Sequence, residues 1–306
     1  VEAEQGGLFR SDDGGRAWER INANRALRQR AWYYSTITVN PQNANEVWFP
    51  QVPLLKSIDG GRTLEYVKGW HHGDHHDIWI DPRDTKRMII GNDGNPEVST
   101  DGGETWHAAF LPIGQFYHVS VDTRVPFRVA GAQQDLGTAQ GPSNSLGTGG
   151  IDPVDWYSVG GGEAGHVVSD WSNPDIVYAG EYLGIFTTYD HSTKQVRVTG
   201  AWPDNPSGWA AADLKYRFQW TAPIAISPHD AAPVYHGAQV IFRTRDRGQT
   251  WEVISPDLSR NDPSKQQWSG GPITGDNTGV ETYGTVFAIA ESPKQAGLIW
   301  AGSDDG

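Results

Sequence analysis

The chain has 306 residues, enough for a large buried core, and a formal charge of −13, which argues against nucleic acid and anionic membrane surfaces as partners. Its 37 Gly, 19 Pro and 14 Trp, with a single Met, fit many short strands joined by tight turns. Cysteine is absent, which removes disulfide and thiolate chemistry, and no apolar run reaches the ~18 residues of a membrane-spanning helix.

In chain order, the first pattern is Ser11-Asp12-Asp13-Gly14-Gly15-Arg16-Ala17-Trp18, which has the form S-x-D-x-G followed by Trp. It returns at residues 57–64, 99–106 and 244–251, and a worn copy at Thr188-Tyr189-Asp190-His191-Ser192 lacks the Gly and the Trp. The copies follow short apolar runs such as Leu8-Phe9, Leu54-Leu55 and Ile241-Phe242 and precede another strand-like segment, as a hairpin turn would. An Asp that accepts backbone N–H bonds stabilises such a turn, Gly supplies positive φ, and a Ser or Thr hydroxyl closes a second local bond. Asp13, Asp59, Asp101 and Asp246 are therefore expected to be architectural, with the Trp plugged between neighbouring sheets.

A second repeat, strand–polar turn–strand, interleaves with the first. Its copies begin at Thr36, Asp77, His118, His166, Ile224 and Val286, and the first three lie 41 residues apart. Alternating apolar residues mark the strands, and a period of this size indicates propeller blades or a solenoid. Joining the two repeats predicts four-stranded blades at 35–67, 76–110, 117–160, 164–199 and 223–256. Residues 1–22 and 286–306 supply partial blades. The third blade has no recognisable turn motif, and its polar segment 137–152 reads as a loop. The best helical stretch is the short run 209–214. Residues 1–4 resemble the tail of another strand, so the expectation is a single region 1–306 cut from a longer propeller, favoured over a closed six-blade ring.

The turn motif resembles the Asp-box, or BNR repeat, of sialidases, sortilin-type receptor domains and several glycoside hydrolases. Residues 73–82, 131–135, 159–163, 218–221, 254–259 and 275–279 extend the resemblance to bacterial VPS10/sortilin-like, glycosyl-hydrolase-like BNR-repeat proteins over nearly the whole chain. It implies an all-β propeller of about five full blades plus partial blades at both ends, and says little about activity. The Arg-Ile-Pro motif and clamping arginines of sialidases are not evident, nor is the catalytic Asp pattern of xyloglucanase-type propellers. The expected location is extracellular or periplasmic.

In the family's geometry, residues entering the innermost strand or leaving its partner converge on one rim. That placement selects Glu163, Glu181, Asp135, Asp93 and Glu281 as candidate catalytic carboxylates, since glycoside hydrolysis needs two of them. Gln133, Gln134, His166, Tyr283 and Trp220 are candidate ligand contacts: amides for sugar hydroxyls, an aromatic ring for stacking. Turn capping is the alternative for the Gln pair, and blade-edge cover for the Trp. The stretch 70–77 holds four His in six residues, so His72, Asp74 and His76 form a candidate divalent metal set, against the alternative of solvated or hydrogen-bonded histidines. On a strand His75 and His76 point to opposite faces, so at most one of them enters the channel. Two functions stay open: a carbohydrate-active, glycoside hydrolase-like propeller acting on or binding a polysaccharide, or a non-catalytic sortilin-like module for a peptide, protein or glycan.

Overall fold

The computed structural model describes every residue except Val1, Glu2, Trp32, Trp70, Phe110, Pro272 and Thr274. The expected strand tail at residues 1–4 lies partly outside that set, and its described part is a turn closed by Gly6 N–H on the Ala3 carbonyl at 2.8 Å. Trp70 of the histidine stretch is outside it entirely.

The strands pair in chain order as antiparallel meanders. A hairpin, β1 (Leu8–Arg10) and β2 (Glu19–Asn22), comes first. Blade 1 is β3 (Thr38–Asn40), β4 (Asn43–Phe49), β5 (Leu55–Ser57) and β6 (Glu65–Tyr66). Blade 2 is β7 (His75–Ile80), β8 (Met88–Asn92), β9 (Pro96–Ser99) and β10 (His107–Ala108). Blade 3 has three strands, β11 (Phe116–Val121), β12 (Arg128–Gln133) and β13 (Gly137–Pro142). Blade 4 is β14 (Val167–Ser169), β15 (Ile176–Gly180), β16 (Phe186–Asp190) and β17 (Gln195–Val198). Blade 5 is β18 (Ile224–Ile226), β19 (Val234–Gly237), β20 (Ile241–Thr244) and β21 (Glu252–Val253). A last hairpin joins β22 (Val286–Glu291) to β23 (Ile299–Ser303). The fold is all-β, built from β-propeller blades.

The chain forms two compact units, residues 1–112 with 270–276, and residues 113–269 with 277–306. Blade 3 corrects one expectation. The first six residues of the segment read as a loop, 137–142, are the strand β13, paired along its length with β12. Its fourth strand is reduced to a single bridge between Gln140 and Tyr157. Gly, Ser and Thr content signalled a loop, but the side chains of Thr138, Ala139 and Gln140 are buried, and the unbroken ladder to β12 outweighs weak strand propensity. The helical run at 209–214 is one 3-10 turn, Ala211–Asp213.

The core lies between successive sheets. In the first unit Trp48 and Leu54 of blade 1 pack against Ile78, Ile80, Met88 and Ile90 of blade 2. In the second, Ile176, Tyr178 and Phe186 of blade 4 meet Ile224 and Val234 of blade 5, while Tyr235 and Ile241 meet Val286. The Asp-box turns close these interfaces. Within each turn the hydroxyl of Ser57, Ser99 or Thr244 accepts the Gly N–H four residues on, at 2.8, 2.9 and 2.9 Å. The Asp Oδ1 accepts the N–H of Thr63, Thr105 or Thr250 at 2.9, 2.9 and 2.8 Å. These bonds favour the ionised carboxylate, holding Asp59 and Asp101 down to about 2.

The turn also docks on the preceding sheet. Trp106 Nε1 donates to Gly103 O at 3.2 Å, and its ring meets Trp48 edge-on at 6.1 Å. Trp251 Nε1 donates to Thr199 O of blade 4 at 2.7 Å, and its ring stands edge-on to Phe186. A Cβ on Gly103 would run into the Trp48 ring, one on Gly61 into Leu8, and one on Gly248 would come within 2.7 Å of Thr199. The worn turn of blade 4 replaces this with a polar clasp: His191 Nδ1 accepts from Arg128 Nη1 of blade 3 at 3.0 Å, and its ring stands edge-on to Tyr157.

Gly102 and Gly103 both have φ of +84°, but only Gly103 lacks room for a Cβ. Gly102→Ala should cost about 1 kcal/mol, the left-handed backbone penalty alone, and Gly103→Ala about 2 kcal/mol more through overpacking against Trp48. Urea denaturation of the two variants measures the difference; equal losses would show that the turn glycine does not act through inter-blade packing.

Candidate functional site

Five places in the second unit contribute to one closed circuit of side chains. Tyr117 stands on β11, Gln134 and Asp135 directly follow β12, Glu163 precedes β14, Glu181 and Tyr182 follow β15, and Trp220 precedes β18. Trp220 Nε1 donates to Tyr117 Oη at 3.0 Å, and Tyr117 Oη donates to the Gln134 side-chain carbonyl. The Gln134 amide then donates to Asp135 Oδ1 at 2.8 Å and to Glu163 Oε2 at 3.0 Å. One amide orientation satisfies all three Gln134 bonds. Glu163 N–H donates to Glu181 Oε2 at 3.1 Å, and Glu181 Oε1 accepts the Tyr182 N–H at 3.1 Å. The Tyr182 ring stacks on Trp220, 4.7 Å between centroids and 13° between planes, which closes the loop.

Local backbone chemistry explains how the residues arrive there. Asp135 takes a left-handed φ of +62°, which turns the chain at the end of β12 and points its own N–H to Glu163 Oε2 at 3.0 Å. The run 160–162 lies against β15, and Gly162 has no room for a Cβ because the Glu181 carboxylate fills that space. The three glycines thus admit an acidic side chain against the backbone and set Glu163 beside Glu181.

Both glutamates are half-buried. Loss of solvent pushes Glu163 up to about 7, reinforced by its hydrogen bond to the Asp135 carboxyl and the neighbouring Glu181 charge. Burial likewise raises Glu181 to about 7, against the pull of the backbone N–H groups of Tyr182, Glu163 and Ala164. Near neutral pH the site therefore holds exchangeable protons, with Glu163 able to donate and Gln134 and Asp135 fixing its orientation. His166 stacks on His118 at 4.0 Å and is held down to about 4 by burial and that neighbour, so its imidazole is neutral at pH 7.

Of the residues selected from sequence, Gln134, Asp135, Glu163, Glu181 and Trp220 meet in the circuit. Gln133 ends β12 in register with Phe116, its side chain against Gly114. Glu281 is a turn cap instead: its Oε2 accepts the N–H groups of Thr278 at 2.8 Å and Gly279 at 3.1 Å. Tyr283 is half-buried shortly before β22. Asp93, in the first unit, holds His76 Nε2 at 2.7 Å.

The three candidate metal residues are engaged separately. His72 Nδ1 lies 3.1 Å from Gly73 O, Asp74 accepts the Tyr34 hydroxyl, and His76 pairs with Asp93. Among the described residues no three His, Cys, Asp or Glu side chains are grouped to hold a metal ion. The sequence spacing is dense, but strand alternation separates the side chains: His75 is buried on the Gln51 carbonyl at 3.0 Å, and His76 lies half-exposed. Sequence reasoning missed Tyr117 and Tyr182; their position beside the other rim residues, one strand-entry aromatic and one residue after Glu181, was the available signal.

Raised carboxyl groups favour the folded state only while protonated. Their contribution is complete below the ordinary Glu value and lost as pH rises through about 7. Glu163→Gln removes one such titration and leaves the histidines common to both proteins. The urea midpoint of the natural chain minus that of E163Q should fall between about pH 5 and about pH 8. A pH-independent difference would mean that Glu163 titrates as an exposed carboxylate.

Residues 97–108, the blade 2 turn with its flanking strands, match the family model for the BNR/Asp-box repeat. Comparison with curated protein sequences gives no match. Among solved structures, the chain is similar to the GH74 xyloglucanase from Xanthomonas campestris, with 16% identity, a TM-score of 0.34, and coverage of 100% of this chain and 48% of that one. It is similar to the GH74 enzyme of Niastella koreensis at 15% identity and a TM-score of 0.30, covering 81% of this chain and 42% of that one. It is also similar to YCF48 from Cyanidioschyzon merolae at 14% identity and a TM-score of 0.33, covering 97% and 86%. The chain thus spans less than half the length of these GH74 enzymes. The chain carries a BNR/Asp-box repeat at residues 97–108 within a set of propeller blades.

Proposed function

We propose that the second unit is a carbohydrate-engaging module whose site is the Trp220–Tyr117–Gln134–Glu163–Glu181 circuit. The observation that carries the reading is the preorganised juxtaposition of two half-buried carboxyl groups and an amide with the stacked Tyr182–Trp220 rings. Carboxyl and amide groups hydrogen-bond sugar hydroxyls in pairs, and an aromatic face accepts the C–H side of a sugar ring. Because the polar groups already hold one another, little ordering cost remains for the ligand.

Binding without turnover is the form the geometry supports best. Glycosidases separate their two carboxyl groups by about 5 to 9.5 Å. Here Asp135 and Glu163 are in direct hydrogen-bond contact, and both Glu181 oxygens already accept backbone N–H groups. Hydrolysis is the second reading, favoured by one fact: Glu163 keeps a donatable proton near neutral pH.

Binding and product release on a panel of soluble plant, algal and microbial polysaccharides test both. Trp220→Ala should weaken binding by about tenfold, the loss of roughly 1 to 2 kcal/mol of contact. Glu163→Gln should preserve most affinity. If product forms and E163Q abolishes it by about 100-fold or more, the hydrolytic reading holds. Affinity for peptides with none for glycans would overturn the carbohydrate assignment.

A further inference from the structure

Blades 1, 4 and 5 and the last hairpin share one register. Two residues before Asn40, Asp170, Ser227 and Ser292, Thr38 stands opposite Trp48, Val168 opposite Tyr178, Ala225 opposite Tyr235 and Ala290 opposite Trp300. Trp48, Tyr178 and Tyr235 are buried, each against the next sheet, but Trp300 is 69% exposed. Trp48 packs on Ile78 and Ile80, which stand three and one residues before Asp81. The same positions before Asn40 are Ile37 and Val39, and these are 48% and 44% exposed. The strand edges are unfilled as well: among the described residues β1 pairs with β2 alone and β23 with β22 alone. The first hairpin is a third and fourth strand whose Asp-box turn is already formed, with Ser11 Oγ accepting the Gly15 N–H at 2.8 Å. The last hairpin is a first and second strand.

We propose that β22–β23 of one copy of this chain adds to β1 of a second copy, completing a four-stranded blade whose Trp300 closes over Ile37 and Val39 of that second copy. Strand addition pairs the backbone groups of both open edges, and the exposed apolar side chains leave water. Blade 1 supplies the register. There Val47, Trp48 and Phe49 stand opposite Ser57, Lys56 and Leu55, which sets Ile299, Trp300 and Ala301 opposite Ser11, Arg10 and Phe9. Lys56 Nζ lies 4.6 Å over the Trp48 ring, and Arg10 comes to the same place on Trp300. Blade 5 repeats the pairing with Arg243 opposite Tyr235. Trp300, Ile37 and Val39 are all exposed in the single chain, which points to a second copy as the occupant. The contact joins unlike surfaces, so it propagates into open chains or closes into a ring. It is independent of the carbohydrate site.

Sedimentation of the 306-residue chain over a range of concentrations tests this. The expected result is reversible self-association. Trp300→Ser and Val39→Asp should each weaken it about thirtyfold or more, the loss of a buried aromatic anchor or the burial of a charge. Both positions are exposed in the single chain, so the circular dichroism spectrum should not change, and either variant carries the test if the other does not fold. An equimolar mixture of W300S and V39D should form a dimer and stop there, because the first keeps an intact β1–β3 surface and the second an intact last hairpin. The chain has no Cys, so cross-linking reads the register directly. Phe9→Cys mixed with Ala301→Cys should give a disulfide-linked dimer on oxidation, and each variant alone should give none. A monomer at every concentration, closure of one chain on itself included, would overturn the proposal. So would association that survives W300S, a mixture that stays monomeric, or cross-linking of F9C with itself.

Discussion

The structure depends on one constraint: the Asp-box turns at 57–64, 99–106 and 244–251 come within van der Waals distance of the sheet before them, whereas the first, with Trp18 exposed, meets none. The Ser or Thr hydroxyl and the Asp carboxylate consume the turn's backbone N–H groups, so the loop can be buried on one side without stranding donors. Once those donors are satisfied, the glycine can press on Trp48 or Leu8 and the Trp can close over the core. Each blade buries only one thin apolar face alone. Within each unit the clasp joins marginal neighbouring sheets through common apolar clusters.

Where that clasp is worn, the chemistry changes but the demand does not. Blade 4 lacks the Gly and Trp, and the contact passes to Arg128, which binds Asp122 at 2.6 Å, His191 at 3.0 Å and the Pro174 carbonyl at 2.6 Å. Blade 3 in turn has almost no fourth strand. Its connection is free to run from β13 through Tyr157 to the three glycines, and those glycines deliver Glu163 to Glu181. The candidate site therefore occurs beside the least regular blade, where the repeat yields its outer strand and gains a connection that can carry polar groups inward.

The site's electrostatics follow from the same connection. Two glutamates and an aspartate in one half-buried place would repel one another if all were ionised. Gln134 and the backbone N–H groups of Asp135, Glu163 and Tyr182 offset part of that repulsion, and raised affinity for protons offsets the rest. Glu163 Oε2, Asp135 Oδ1 and both Glu181 oxygens already have partners, which holds these side chains in place for recognition.

Much of this was legible from residues alone. The turn motif determines its own hydrogen bonds locally, within eight residues, so the positions of Asp13, Asp59, Asp101 and Asp246 and the strands around them followed from the chain. Period-2 alternation likewise placed β7, β14 and β19. The convergence of Asp135, Glu163 and Glu181 was visible too, because each sits at the same end of its blade. Other outcomes depended on partners far away in sequence. Residues 137–142 became a strand because β12 offered an open ladder, which weak local propensity could not reveal. The histidines of 71–76 separated because Glu97, Gln51 and Asp93, each 17 or more residues away, took them individually. Glu281 became a cap and Tyr117 a bridge through contacts that no spacing encodes. Local hydrogen bonding is written in consecutive residues and so is readable there; which side chain satisfies a buried group across the fold is decided only when the sheets pack.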